Sequence, residues 1–225
     1  MNKKLELEKL KSEILSDKSL PLLESNLVFG EGNPDCEVLF IGEAPGLNED
    51  RLQRPFVGRG GQLLNQMLEK INLKREDIYI TNIVKRRPPE NRDPLPEEIE
   101  AYKPYLSSQI TIIDPKIIVT LGRFSMNYFL PEAKITRDHG RIYFFPKKFF
   151  NEKNDDDEKY IIFPILHPAA VLRSPQQMGK LFDEDFVKLS KILKNFPQYI
   201  KETSKTYDLP LQKNDVKKDI QKPLF

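Results

Sequence analysis

The chain of 225 residues has a single cysteine, no tryptophan, and a formal net charge of only +2. One cysteine excludes an intrachain disulfide and any metal centre built from several thiolates. Cys36 opens an apolar run, which suits a buried thiol rather than a reactive one. No segment reaches the ~18 consecutive apolar residues that a membrane-spanning helix needs. The opening Met1-Asn2-Lys3-Lys4-Leu5 lacks the apolar stretch of a secretory signal, so an intracellular, cytoplasmic protein is expected, nucleoid-associated if it binds DNA. A near-neutral balance does not announce a nucleic-acid partner, but the basic residues are unevenly spread. Lys85, Arg86, Arg87 and Arg92 crowd one segment, and Arg51, Arg54 and Arg59 another, as phosphate contact requires.

What is present is a core's worth of apolar residues, 39% of the chain, arranged in two periodicities. Leu7, Leu10 and Ile14 recur at helical spacing in residues 3–15. Later stripes are Leu63, Leu64, Met67, Leu68 and Ile71; Ile99, Tyr102, Leu106, Ile110 and Ile113; and Phe182, Phe186, Leu189 and Leu193. Between them lie four β-branched runs without alternation, 38–41, 78–83, 117–121 and 161–166, as expected of strands buried on both faces. Strands alternating with helices predict a three-layer α/β/α domain with a central four-stranded parallel sheet. Residues 1–200 are assigned to this domain and 203–225, rich in Lys and Asp, to a flexible C-terminal tail. The polar stretch within 146–160 is expected to be a solvated hairpin tip.

In open α/β sheets, ligands bind where loops converge at the carboxyl ends of strands. Here those ends carry Gly42-Glu43-Ala44-Pro45-Gly46, Thr81-Asn82 leading to Lys85, and His167-Pro168-Ala169-Ala170. Three such ends with small residues and polar groups locate a candidate site.

At these residues the chain resembles the family 4 uracil-DNA glycosylases. The resemblance rests on VFGEGNP (28–34), GEAPGLNED (42–50), RPFVGRGG (54–61), TNIVKRRPPENRDP (81–94), PKIIVTLGR (115–123) and HPAAVLR (167–173), spanning Val28 to Phe186. It implies the uracil-DNA glycosylase fold and excision of uracil from DNA, with Gly42, Glu43, Phe56, Asn82 and His167 around the base. Phe56 would stack on the flipped base and Asn82, donor and acceptor together, would match the uracil edge. His167 would donate to uracil O2 as charge gathers there. Glu43 and Asn91 are candidates to position water or the cationic sugar, and Glu49 to crowd C5 and exclude thymine. Arg59, Gly60, Lys85, Leu172 and Arg173 are the expected DNA contacts, Leu172 as a wedge into the gap left by the base. His139 falls outside these motifs and is taken as incidental.

One departure concerns the four-iron cluster that this family usually holds on four cysteines. The corresponding positions are Asp17, Leu20, Arg86 and Tyr102, so no cluster and no other cofactor or metal is expected. An Asp17–Arg86 ion pair is expected to bridge the vacated space, filled by Leu20 and Tyr102. The ending Gln221-Lys222-Pro223-Leu224-Phe225 resembles a shortened sliding-clamp-binding peptide. A monomer acting on uracil-containing DNA is expected; the alternative is a catalytically silent uracil-DNA-binding or replication-accessory protein.

Overall fold

The structure, a computed structural model, describes residues 2–155 and 157–195. The expected tail, 203–225, and the clamp-like peptide Gln221–Phe225 lie outside the described residues.

In chain order the elements are α1 (Lys3–Ser16), β1 (Glu31–Gly32), β2 (Val38–Gly42), α2 (Leu47–Leu52), α3 (Arg59–Lys70), β3 (Tyr79–Asn82), α4 (Pro96–Ile113), β4 (Ile117–Leu121), α5 (Arg123–Phe129), α6 (Ile135–Asp138), β5 (Tyr143–Pro146), β6 (Lys159–Ile165), α7 (Pro168–Arg173) and α8 (Pro175–Lys194). They build one six-stranded sheet in the order β1-β3-β2-β4-β6-β5. Its four central strands are parallel, as the apolar runs predicted, and β1 and β5 close the two edges antiparallel. These edge strands carried no sequence signal because one has two residues and the other reads Tyr-Phe-Phe-Pro. The polar stretch does turn a hairpin, with Pro146 opposite Lys159.

Every residue of β2 is buried, and its side chains divide by parity. Leu39 and Ile41 join α1, α4 and α5 in one core layer. Val38 and Phe40 join α3 and α8 in the other. Each fully buried Leu, Ile or Phe contributes on the order of 1.5–3 kcal/mol, so a strand apolar on both faces is held from both sides. Helix α4 starts where it does because Pro96 occupies its first position and the Glu98 carboxylate accepts the Leu95 N–H at 2.8 Å. The same carboxylate takes a forked pair of bonds from Arg92, fixing the preceding loop to the helix.

The chain leaves β2 for β3 on one side and places β4 on the other, so the strand order reverses between β2 and β4. Such a switch point opens a crevice at the carboxyl ends. Gly42 ends β2, and Gly122 follows β4 at φ +91°.

Candidate active site

Over that crevice lies a cavity of about 700 Å³ lined by Glu43, Glu49, Phe56, Asn82, Asn91 and His167, among others. Two glycines set how tightly it closes. A Cβ on Gly42 would lie 2.4 Å from Asn82 Oδ1 and 2.5 Å from Phe56 Cζ, so both side chains bear directly on that α-carbon. A Cβ on Gly61 would fall 1.9 Å from the Phe56 carbonyl oxygen. Phe56 itself is held at φ +51°, a region costly for an aromatic residue. The loop keeps this conformation because Glu49 Oε1 accepts the Val57 and Gly58 N–H groups at 2.9 and 2.6 Å. Glu49 therefore anchors the Phe56 loop as well as lining the cavity.

Asn82 ends β3 with its side chain buried, and its Oδ1 has no hydrogen-bond partner. A buried carbonyl oxygen without a partner carries a desolvation cost, about 1–3 kcal/mol, that a ligand N–H would remove. His167 caps α7, its Nδ1 accepting the Ala169 N–H at 3.2 Å. That bond places the ring proton on Nε2. Burial, helped by the Arg173 charge and opposed by Glu49, pulls the imidazole down to about 4, so His167 is a neutral donor at pH 7. Its ring centre stands 6.0 Å from that of Phe56. Phe56, Asn82 and His167 thus face one slot.

Burial raises the Glu43 carboxyl to about 7, and Asp93 adds to the shift while Arg123 and Arg173 oppose it. A carboxyl poised near neutrality in a cleft can take or give a proton. Asn91 is exposed at the rim, adjoining Glu90 in the left-handed region, and its Oδ1 accepts from Arg87 at 2.7 Å. Arg59, Gly60 and Arg173 line the mouth, where Gly60 meets the start of α7 near the Ala169 N–H. Leu172 is 36% exposed and lies in α7. Among the lining residues that had no part in the sequence-based site are Arg123 and Asp93, paired with each other and acting on the Glu43 carboxyl. Their signal was faint, an arginine just after the glycine that ends β4.

Lys85 requires correction. It is fully buried and cannot reach a phosphate; its ammonium is enclosed by Thr81, Asn82 and Gln109. The neighbouring arginines also bond within the chain, Arg86 buried, Arg87 half-buried and Arg92 exposed. Arg86 donates to the Ser25 carbonyl, Arg87 to Asn91 and Arg92 to Glu98.

The cluster positions correct a second expectation. Asp17 does not pair with Arg86: its carboxylate accepts from the Tyr105 hydroxyl at 2.6 Å and from Ser19. These bonds hold it below the usual carboxylate range, the Ser19 hydroxyl contributing most. Leu20 and Tyr102 do fill core volume, Tyr102 fully buried with its hydroxyl donating to the Pro21 carbonyl at 2.9 Å beside the Arg86 guanidinium. Four side chains without a thiolate, Leu20, Arg86 and Tyr102 buried and Asp17 at the surface edge, do not fit an iron–sulfur cluster. Cys36 is buried elsewhere, its thiol pushed up to about 11 by burial. No group of acidic, histidine or cysteine side chains among the described residues is arranged to hold a metal. His139 Nδ1 bonds the buried Asp185 of α8 at 2.7 Å, a structural link away from the slot lining.

A parallel-sheet α/β domain with a polar cavity at its switch point belongs to the class of α/β proteins that bind a ligand over the carboxyl ends of their strands. Residues 29–194 match the sequence profile of the uracil DNA glycosylase superfamily, and the chain belongs to that family. It is 46% identical over 194 residues to a type-4 uracil-DNA glycosylase of Sulfurisphaera tokodaii, covering 83% of this chain and 84% of the relative. The type-4 enzyme of Saccharolobus solfataricus is 45% identical over 76% of this chain and 78% of its own length. That of Archaeoglobus fulgidus is 41% identical over 83% and 92%.

Proposed function

We propose that the protein is a uracil-DNA glycosylase of base excision repair, which flips uracil out of DNA and hydrolyses its N-glycosidic bond to leave an abasic site. The observation that carries this reading is the unpartnered Asn82 Oδ1, buried with Phe56 against Gly42 in the cavity that His167 also lines. Uracil N3–H fits that acceptor and the Asn82 amide N–H fits O4. Cytosine offers a bare N3 and an amino group at the same places, so a fixed amide refuses it. Phe56 stacks on the base face, contributing about 1–3 kcal/mol.

Bond cleavage sends the C1′–N1 electron pair onto uracil and leaves an oxocarbenium-like sugar. His167 Nε2–H donates to uracil O2 as negative charge gathers there, without needing to be protonated. Water adds to C1′ and loses a proton to ionised Glu43, whose charge also favours the cationic sugar; Asn91 steadies the water from the rim. Glu49, bonded to the Phe56 loop and lining the cavity, stands on the C5 side of the base, where it crowds the methyl of thymine. The α3 N-terminus with Arg59 and Gly60 takes a phosphate on one flank, Arg173 takes one on the other, and Leu172 fills the vacated stack. The enzyme acts as a monomer without an iron–sulfur cluster, and the clamp-like peptide remains a proposed partner site. Among the described residues no helix is long and apolar enough to cross a membrane.

Labelled duplexes holding U·G, U·A, T·G or hypoxanthine, incubated with the protein and then cleaved by alkali at abasic sites, test the proposal. Product is expected from both uracil duplexes and not from T·G. Binding to uracil DNA without product would favour the silent accessory protein instead.

A further inference from the structure

Lys85 is a lysine with no solvent and no carboxylate partner among the described residues. Its Nζ donates to Thr81 Oγ1 at 2.8 Å, to the Asn82 carbonyl at 2.7 Å and to Gln109 Oε1 at 2.5 Å. Three acceptors match the three N–H groups of an ammonium and oppose the burial that lowers this lysine well below its ordinary pKa. None can readily turn donor: the Thr81 hydroxyl is committed to the Phe29 carbonyl at 2.9 Å, and the Gln109 amide nitrogen donates to that same carbonyl at 3.0 Å.

The location gives this cluster its meaning. On one side β3 is held by β2 through Asn82, and Ile83 N–H continues the pairing to the Gly42 carbonyl. On the other side β1 pairs only with Tyr79 and Ile80, so the last two residues of β3 have no strand beside them. The buried Asn82 carbonyl would be unsatisfied there, at a strand end that carries the base-reading amide. Lys85 supplies the missing donor and ties that strand end to α4 through Gln109.

We propose that Lys85 is a positioning residue: its buried ammonium replaces the absent strand and locks the end of β3 so that the Asn82 amide faces the base slot. The inference rests on the glycosylase reading for its kinetic consequence, but the placement of Asn82 can be measured without it.

Single-turnover excision is compared for the wild type, Lys85→Met, Lys85→Gln, Asn82→Ala and the Lys85→Met/Asn82→Ala double variant, alongside DNA affinity. Lys85→Met is expected to slow excision about tenfold or more while the DNA Kd moves less than about threefold, and Lys85→Gln, which keeps two donors, recovers part of the rate. In the Asn82→Ala background, the same change costs less than about threefold, because the two residues act as a unit. An equal loss in both backgrounds overturns the proposal. So does a loss confined to DNA affinity with a weakened salt dependence, which is the behaviour of a phosphate contact.

NMR signals of the Asn82 side-chain amide, assigned by their loss in Asn82→Ala, provide the readout that needs no activity. They are expected to shift and broaden in Lys85→Met; unchanged signals refute the positioning role even if the protein excises nothing. Should Lys85→Met not fold, Gln109→Leu removes one anchor of the ammonium from outside the slot. It is expected to move the same signals and to slow excision to a smaller degree. Identical signals and rates in Gln109→Leu would equally overturn the assignment.

Discussion

At the base slot the protein keeps a buried oxygen of Asn82 without a partner, an aromatic residue at positive φ and two glycines with no room for a Cβ. Around Tyr102 the hydroxyl is bonded to Pro21, the Asp17 carboxylate to Tyr105, and Leu20 closes the core. The first region holds strain and an unmet hydrogen bond at the lining of a cavity. The second is closed by internal hydrogen bonds, and among the described residues Arg86 Nε is the one buried side-chain polar atom there without a partner. Such strain and unmet bonding tend to concentrate where a protein works on something else. Substitutions in the two regions should therefore separate cleanly, one set acting on rate and the other on stability.

The largest effect is expected in the slot. His167→Ala or Asn82→Ala should each lower single-turnover excision by about 10²–10³, as loss of a donor to a developing anion does, with thermal unfolding little altered. A fall in melting temperature that accounts for the lost activity would erase the contrast. Phe56→Ala should follow, slowing excision by one to two orders of magnitude, the equivalent of about 1–3 kcal/mol of stacking. Tighter or unchanged turnover would mean that Phe56 belongs to the core alone.

The pH dependence sharpens the same comparison. Glu43 must be ionised to take a proton from water, and its carboxyl is raised to about 7, so excision should climb between pH 5 and pH 8 with a midpoint near 7. Glu43→Gln should flatten the climb. Raised folded pKa also means that Glu43 favours folding most at low pH and loses that contribution as pH rises through about 7. His167, lowered to about 4, behaves oppositely: its contribution is present above pH 6.5 and lost as pH falls through about 4. The smallest effect belongs to the packed region. Tyr102→Phe removes the hydrogen bond to Pro21 and should cost about 1 kcal/mol in denaturant unfolding with excision unchanged.

Much of this architecture was legible in the chain. Four β-branched runs gave the parallel strands because burial on both faces leaves no alternation, and the glycine-rich strand ends marked the cavity that now holds Glu43, Asn82 and His167. What escaped depended on partners distant in sequence. Lys85 sits among arginines and looks like a phosphate ligand until Gln109, from α4, is folded beside it. The Asp17–Arg86 pair failed because Ser19 and Tyr105 were nearer claimants for the carboxylate. The helix that carries Leu172 and Arg173 also escaped, because, only six residues long, it has no periodicity to read; Pro168 following a capping histidine starts it.

A structure of the protein with free uracil bears most directly on the slot. The account predicts the base stacked against Phe56, its N3–H on Asn82 Oδ1 and its O2 beside His167 Nε2. Uracil seated in a different cavity, or lying in this one with N3 turned away from Asn82, would contradict it.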